Sequence, residues 1–122
     1  MNQVALVGRI VRPITAKQCN GTSVVNNTLA INGVKKEKSD GSTADFIPIV
    51  AWGKVAEQLE KYVKKGHRVG ITGYLKSRSY VNKLQQKVSV VEVVVNHVYF
   101  LENPPKEKLF LRQFEVDSNE EN

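Results

Sequence analysis

A chain of 122 residues, 41% hydrophobic and 25% charged, is long enough for one folded domain and too ordinary in composition for wholesale disorder. Its 18 Lys and Arg outnumber 12 Asp and Glu, a net charge of +6; four of the carboxylates lie beyond Gln113, so residues 1–112 hold 18 cations against eight anions. Such a body attracts polyanions, nucleic acid foremost, while a single cysteine, Cys19, excludes an intrachain disulfide and a multi-thiolate metal site.

The start Met1-Asn2-Gln3-Val4 lacks the charged and apolar runs of a signal peptide, and no apolar stretch reaches the roughly 20 residues that span a bilayer. A soluble, cytoplasmic protein is expected. Along the chain the periodicity is mostly that of strands. Val4–Val11, Ser23–Lys35, Phe46–Trp52, Val69–Tyr80 and Val88–Phe100 are rich in Val, Ile and aromatics and read as five strands. Between the third and fourth, Lys54–Lys65 places Val55, Ala56, Leu59, Tyr62 and Val63 at helical spacing. Glu57 and Glu60 precede Lys61, Lys64 and Lys65, as the helix dipole favours, and Gly66 stands where a left-handed cap is wanted.

Three strands, a helix and two strands is the order of the oligonucleotide/oligosaccharide-binding (OB) fold, a five-stranded barrel in an otherwise all-β chain. Gly8, Gly70 and Gly73 suit strands that must bend sharply to close. Lys35–Ala44, with its Asp40-Gly41 turn, and Ser77–Lys87 read as projecting basic hairpins. Asn103-Pro104-Pro105 ends the domain, which divides the chain into a barrel over residues 1–102 and a short segment with an acidic tail over 103–122.

Catalytic hardware is sparse. His67 and His97 have no companion ligand pattern, and no glycine-rich phosphate loop or nucleophile elbow occurs. Asp40, Asp45, Glu57, Glu60 and Glu92 are scattered over strand, loop and helix, so neither an enzyme nor a metal or other cofactor is expected. The informative pattern is aromatics interleaved with cations, which supply stacking faces and phosphate contacts for single strands. Phe46 and Trp52 are six apart and share a strand face, while Ile47, Ile49 and Ala51 fill the core from the other. Pro48, on the aromatic face, lacks an N–H and demands an edge or irregularity there. Tyr74, Lys76, Arg78 and Tyr80 likewise share one face, two rings with two cations between.

With these residues placed, the sequence resembles the bacterial single-stranded DNA-binding proteins, including their phage and mobile-element members. The resemblance is carried by Asn2-Gln-Val-Ala-Leu-Val-Gly-Arg9, Asn27-Thr-Leu-Ala-Ile-Asn32, Ala44-Asp-Phe-Ile-Pro-Ile-Val-Ala-Trp-Gly-Lys54, Lys64-Lys-Gly66, Gly73-Tyr-Leu-Lys-Ser-Arg-Ser-Tyr80 and Glu92-Val-Val-Val95. It implies an OB-fold, a homotetramer wrapped by single-stranded DNA, and stacking at Phe46, Trp52 and Tyr80. A further family aromatic at the end of the second strand is replaced here by Val34-Lys35, leaving a phosphate contact without a stacking face. The family's Asp-Ile-Pro-Phe tip is missing, since the chain ends Glu115-Val-Asp-Ser-Asn-Glu-Glu-Asn122, which puts recruitment of replication and repair proteins in doubt.

The expected function is sequence-independent binding and protection of single-stranded DNA in replication, recombination and repair. Phe46, Trp52 and Tyr80, with Tyr74 a weaker platform, would stack bases. Arg9, Thr28, Lys35, Lys36, Lys54, Lys76 and Arg78 would contact the phosphates. The alternative is an OB-fold protein-interaction adaptor of a replisome or primosome that touches nucleic acid weakly. Leu109–Phe114 has no assigned role.

Overall fold

The computed structural model describes residues 1–32 and 43–102. Lys35, Lys36, the Asp40-Gly41 turn, Leu109–Phe114 and the acidic tail lie outside the described residues. Within them the order is β1 (Val4–Ile10), β2 (Ala16–Cys19), β3 (Thr22–Asn32), β4 (Ala44–Trp52), α1 (Gly53–Tyr62), β5 (Arg68–Val81) and β6 (Lys87–Phe100).

The strands pair in the order β1-β5-β6-β4-β3-β2, and β1 also pairs with β3. Five strands therefore form a closed ring, with β2 attached outside it along β3. All pairings are antiparallel except β4–β6, which meet in parallel at Ile49↔Val93 and Val50↔Val94. The ring closes at Arg9↔Ala30 and Ile10↔Leu29. Closure needs one strand to bend hard, and the β5–β6 register shifts between Thr72 and Gly73. A Cβ on Gly73 would lie 1.9 Å from the Val94 carbonyl oxygen, so only glycine lets the two backbones approach this closely.

Period-2 alternation sends Val25, Leu29, Ile49, Ala51, Val69, Ile71, Val93 and Val95 into the ring, where they are buried together. The helix closes one end of this core with Ala56 and Leu59, both fully buried. Removing a leucine side chain from water contributes about 1.5–3 kcal/mol, so Leu59 alone repays much of the ordering of its turn. The helix ends earlier than Gly66. Val63 takes an extended conformation at the C-cap and turns its side chain into the core. Gly66, at φ +88°, serves the turn that follows. Glu57 falls beyond the first helical turn, and Glu60 accepts a hydrogen bond from the Ala16 backbone N–H at 3.0 Å, bracing β2 against the helix.

The strand β2 was not expected from the sequence. It forms a tight hairpin with β3, from Ala16↔Val25 to Cys19↔Thr22, around Asn20-Gly21. Both turn residues have positive φ, 52° and 80°, the geometry of a type I′ turn. At the other end of the molecule β5 and β6 run on past the ring to Val81↔Lys87. There the Asn82 carboxamide oxygen accepts from the Leu84 and Gln86 N–H groups, both at 2.9 Å, and fixes the hairpin tip.

Candidate nucleic-acid interface

The outer surface of β3, β4, β6 and β5 forms one continuous face. Its rows follow from the register: Ala30 opposite Phe46, Thr28 opposite Pro48, Asn26 opposite Val50 and Val24 opposite Trp52. Val50 continues the third row to Val94 and Tyr74, and lower on the β5–β6 hairpin Lys76 faces Glu92, Arg78 faces Val90 and Tyr80 faces Val88. Phe46 is 63% exposed, Trp52 46%, Tyr80 47% and Tyr74 36%, so the four rings expected as platforms lie on this face, and Tyr74 is the least open.

The orientation of β4 follows from its core residues. Ile47, Ile49 and Ala51 pack against or within the hydrophobic cluster, which forces Phe46 and Trp52 outward. Pro48 finds the edge it requires. The second neighbour, β6, is paired with β4 only at Ile49 and Val50, so Pro48 has no paired residue on that side. Trp52 ends the strand, and the helix starts at the next residue, Gly53, whose φ of +62° makes the abrupt change of direction. Trp52 is the N-cap residue, yet its side chain makes no capping hydrogen bond. Its ring is left to the surface.

The expected cations are distributed around these rings. Lys54 is exposed in the first turn of α1, two residues after Trp52, and Lys76 is exposed on β5. Arg9 is exposed in the row of Ala30 and Phe46, but its Nη1 donates to the Gly66 carbonyl at 3.0 Å, which draws the guanidinium toward the turn after the helix. Arg78 Nε pairs with Glu92 Oε1 at 3.4 Å, and its guanidinium carbon lies 6.0 Å from the centre of the Tyr80 ring. Thr28 accepts a 2.6 Å hydrogen bond from Arg12 Nη2. Lys35 and Lys36 fall outside the described residues.

Three features of this face were missed in the sequence. Arg12 reaches it from the loop after β1. Glu92, buried, places a carboxylate among the cations. Val24 and Val50, both buried on the outer side, lay an apolar floor between the rings. None gives a local signal, because each depends on strand register. Among the described residues no group of three or more His, Cys, Asp or Glu could hold a metal, and no helix is long and apolar enough to cross a membrane. His67 Nδ1 accepts from the Lys64 N–H at 3.2 Å in the turn after the helix.

A closed five-stranded ring with a helix between its third and fourth members, carrying aromatics and cations on one face, is an OB-fold. One solved structure of similar fold is the chain described as "Plasmodium falciparum SSB complex with ssDNA", with a TM-score of 0.73 at 24% identity, covering 84% of this chain and 96% of that one. Residues 1–101 match the single-strand binding protein family, and the chain belongs to it. Single-stranded DNA-binding protein 1 of Clostridium acetobutylicum is 38% identical over 104 residues, 84% of this chain and 94% of that protein. The single-stranded DNA-binding protein of Halalkalibacterium halodurans is 42% identical over 103 residues; the match spans 61% of its length. The family is one of binding proteins and not of enzymes, in keeping with the scattered carboxylates.

Proposed function

We propose that this protein binds single-stranded DNA without regard to sequence, stacking bases on Phe46, Trp52, Tyr80 and Tyr74 while Arg9, Lys54, Lys76 and Arg78 neutralise phosphates. The observation that carries this reading is the common outer face of the four exposed rings, flanked by cations, in a chain of the single-strand binding family. Aromatic faces accept any base, and cations follow any backbone, so the arrangement supports affinity without readout of sequence. Thr28 adds a hydroxyl to the path; the phosphate contacts expected of Lys35 and Lys36 fall outside the described residues. A role in covering strands exposed by replication, recombination and repair, in the cytoplasm at the nucleoid and as a homotetramer, accords with this chemistry.

Trp52 is the only tryptophan, so its fluorescence reports one platform. Titration with poly(dT) at low and high salt is expected to quench it to saturation, with affinity falling as salt rises. Absence of binding at low salt would sink the reading and leave the adaptor role in its place.

A further inference from the structure

We propose that Arg12 is a phosphate-binding residue of this face, gripping the strand between the Phe46 and Trp52 platforms and held in position by Asn27. The inference rests on the single-strand reading above and adds to it a residue and a positioning device.

Asn27 lies on the core side of β3 and is 3% exposed, an unusual place for a carboxamide. Its hydrogen bonds explain it. Oδ1 accepts from the Arg12 N–H at 3.2 Å and from the Thr28 N–H at 2.7 Å, and Nδ2 donates to the Arg12 carbonyl at 3.0 Å. The Val11 N–H donates to the Thr28 carbonyl at 3.0 Å. The backbone at Arg12 is thereby tied to β3 before its side chain makes any contact. A flexible arginine that starts from a fixed root loses less freedom when it meets a ligand.

From that root Arg12 reaches the outer face, where Nη2 donates to Thr28 Oγ1 at 2.6 Å. A guanidinium has five N–H donors, and this bond uses one. Among the described residues the sole ion pair is Arg78–Glu92, so no carboxylate there neutralises Arg12. Phe46 and Trp52 are six residues apart on one strand, about 20 Å. A strand stacked on both must carry phosphates past the rows between them. In those rows Pro48 has no N–H, Val50 has an apolar side chain and Asn26 offers a neutral carboxamide, so none of the three brings a positive charge. Thr28 and Arg12 supply donors at mid-span. A purely structural role for the guanidinium is poorly motivated, because Asn27 already holds the loop by its backbone.

The test measures affinity for a dT oligomer across a salt series, together with melting temperature, for the wild type and the variants Arg12→Ala, Arg12→Lys and Thr28→Val. Arg12→Ala is expected to reduce the slope of log affinity against log salt by about 0.7, one phosphate contact, which over a tenfold salt range is about fivefold in affinity. Arg12→Lys should restore the slope, whereas Thr28→Val, which removes a neutral hydroxyl of the path, should weaken binding without moving the slope. Wild-type slope and affinity in Arg12→Ala overturn the proposal. So does an equal loss of melting temperature in Arg12→Ala and Thr28→Val with the slope intact, since that is the behaviour of a loop tie. A wild-type protein that fails to bind dT at low salt defeats the single-strand reading itself, a result distinct from either.

Discussion

Arg78 Nε faces Glu92 Oε1 at 3.4 Å, diagonally across the β5–β6 ladder, while Lys76 stands directly opposite the same glutamate. One carboxylate thus sits between two of the cations that the binding face is expected to use. Its side chain is mostly covered, whereas that of Arg78 is half open, so the pair contributes only about 0.2–1 kcal/mol to folding. Toward a polyanion its effect is larger, because the negative charge opposes the phosphates and occupies a guanidinium donor.

Replacing Glu92 by Gln should therefore tighten binding to single-stranded DNA and steepen its salt dependence by up to about 0.7 in slope, as Arg78 is released to a phosphate. The amide can still accept a hydrogen bond from Arg78, so the hairpin should stay folded. Salt-dependent titration with dT oligomers checks the sign. Weaker binding in Glu92→Gln would mean that the carboxylate serves to aim Arg78.

Phe46→Ala and Trp52→Ala should each weaken dT binding by about 1–3 kcal/mol. Neither should change the melting temperature much, because both rings are exposed and Trp52 makes no capping hydrogen bond. The comparison is Tyr62→Ala. Tyr62 is 56% exposed, yet it packs edge-on to Phe100 with ring centres 5.6 Å apart, outside the strand rows of the binding face. Its loss should cost up to about 1.5 kcal/mol of stability and no DNA affinity. Equal losses of affinity at all three positions would remove the distinction between platform and merely exposed ring.

Asn27→Leu tests the buried carboxamide from the folding side. It would leave the part-buried Arg12 N–H and carbonyl without their partner, at up to about 1 kcal/mol for each lost hydrogen bond. Thermal melting should show a lower midpoint than for Asn26→Leu, because Asn26 is exposed on the adjacent outer row. Similar midpoints for the two variants would show that Asn27 does not anchor the loop.

How far the sequence spoke depended on whether a residue's role is local. The in-out alternation of Ile47, Ile49 and Ala51 against Phe46 and Trp52 is legible because a period of two needs no partner to be read. The edge at Pro48 follows from its missing N–H. The strand Ala16–Cys19 is not legible, since of its four residues only Ala16 is even partly buried and no alternation arises. The Asn20-Gly21 pair is a turn signal, but without apolar flanks the hairpin signal is incomplete. Lys54–Lys65 read as one helix because the spacing continues through Val63, yet burial of Val63 favours an extended cap. Arg12 meets Thr28 across 16 residues, and Glu92 meets Arg78 across 14. Such contacts exist only once β1, β3, β5 and β6 have taken their register, so composition and spacing cannot announce them.

The bend that closes the ring gives a last and sharper test. Gly70 and Gly73 look alike in the sequence, both within β5 and both suited to a tight strand. Their surroundings differ. A Cβ on Gly70 would first meet the Tyr99 Cβ at 3.6 Å, an ordinary contact, whereas one on Gly73 would meet the Val94 backbone oxygen at 1.9 Å. The oxygen cannot step aside without opening the β5–β6 ladder at its register shift. Gly73→Ala should therefore destabilise the protein by about 3 kcal/mol or more, at or above the usual range for overpacking, and Gly70→Ala by less than about 1 kcal/mol. Because Tyr74 and Val94 lie at the same bend, Gly73→Ala should also weaken dT binding at temperatures where the protein remains folded. Chemical denaturation of the two variants checks the order; equal stabilities would show that closure does not depend on the close approach at Gly73.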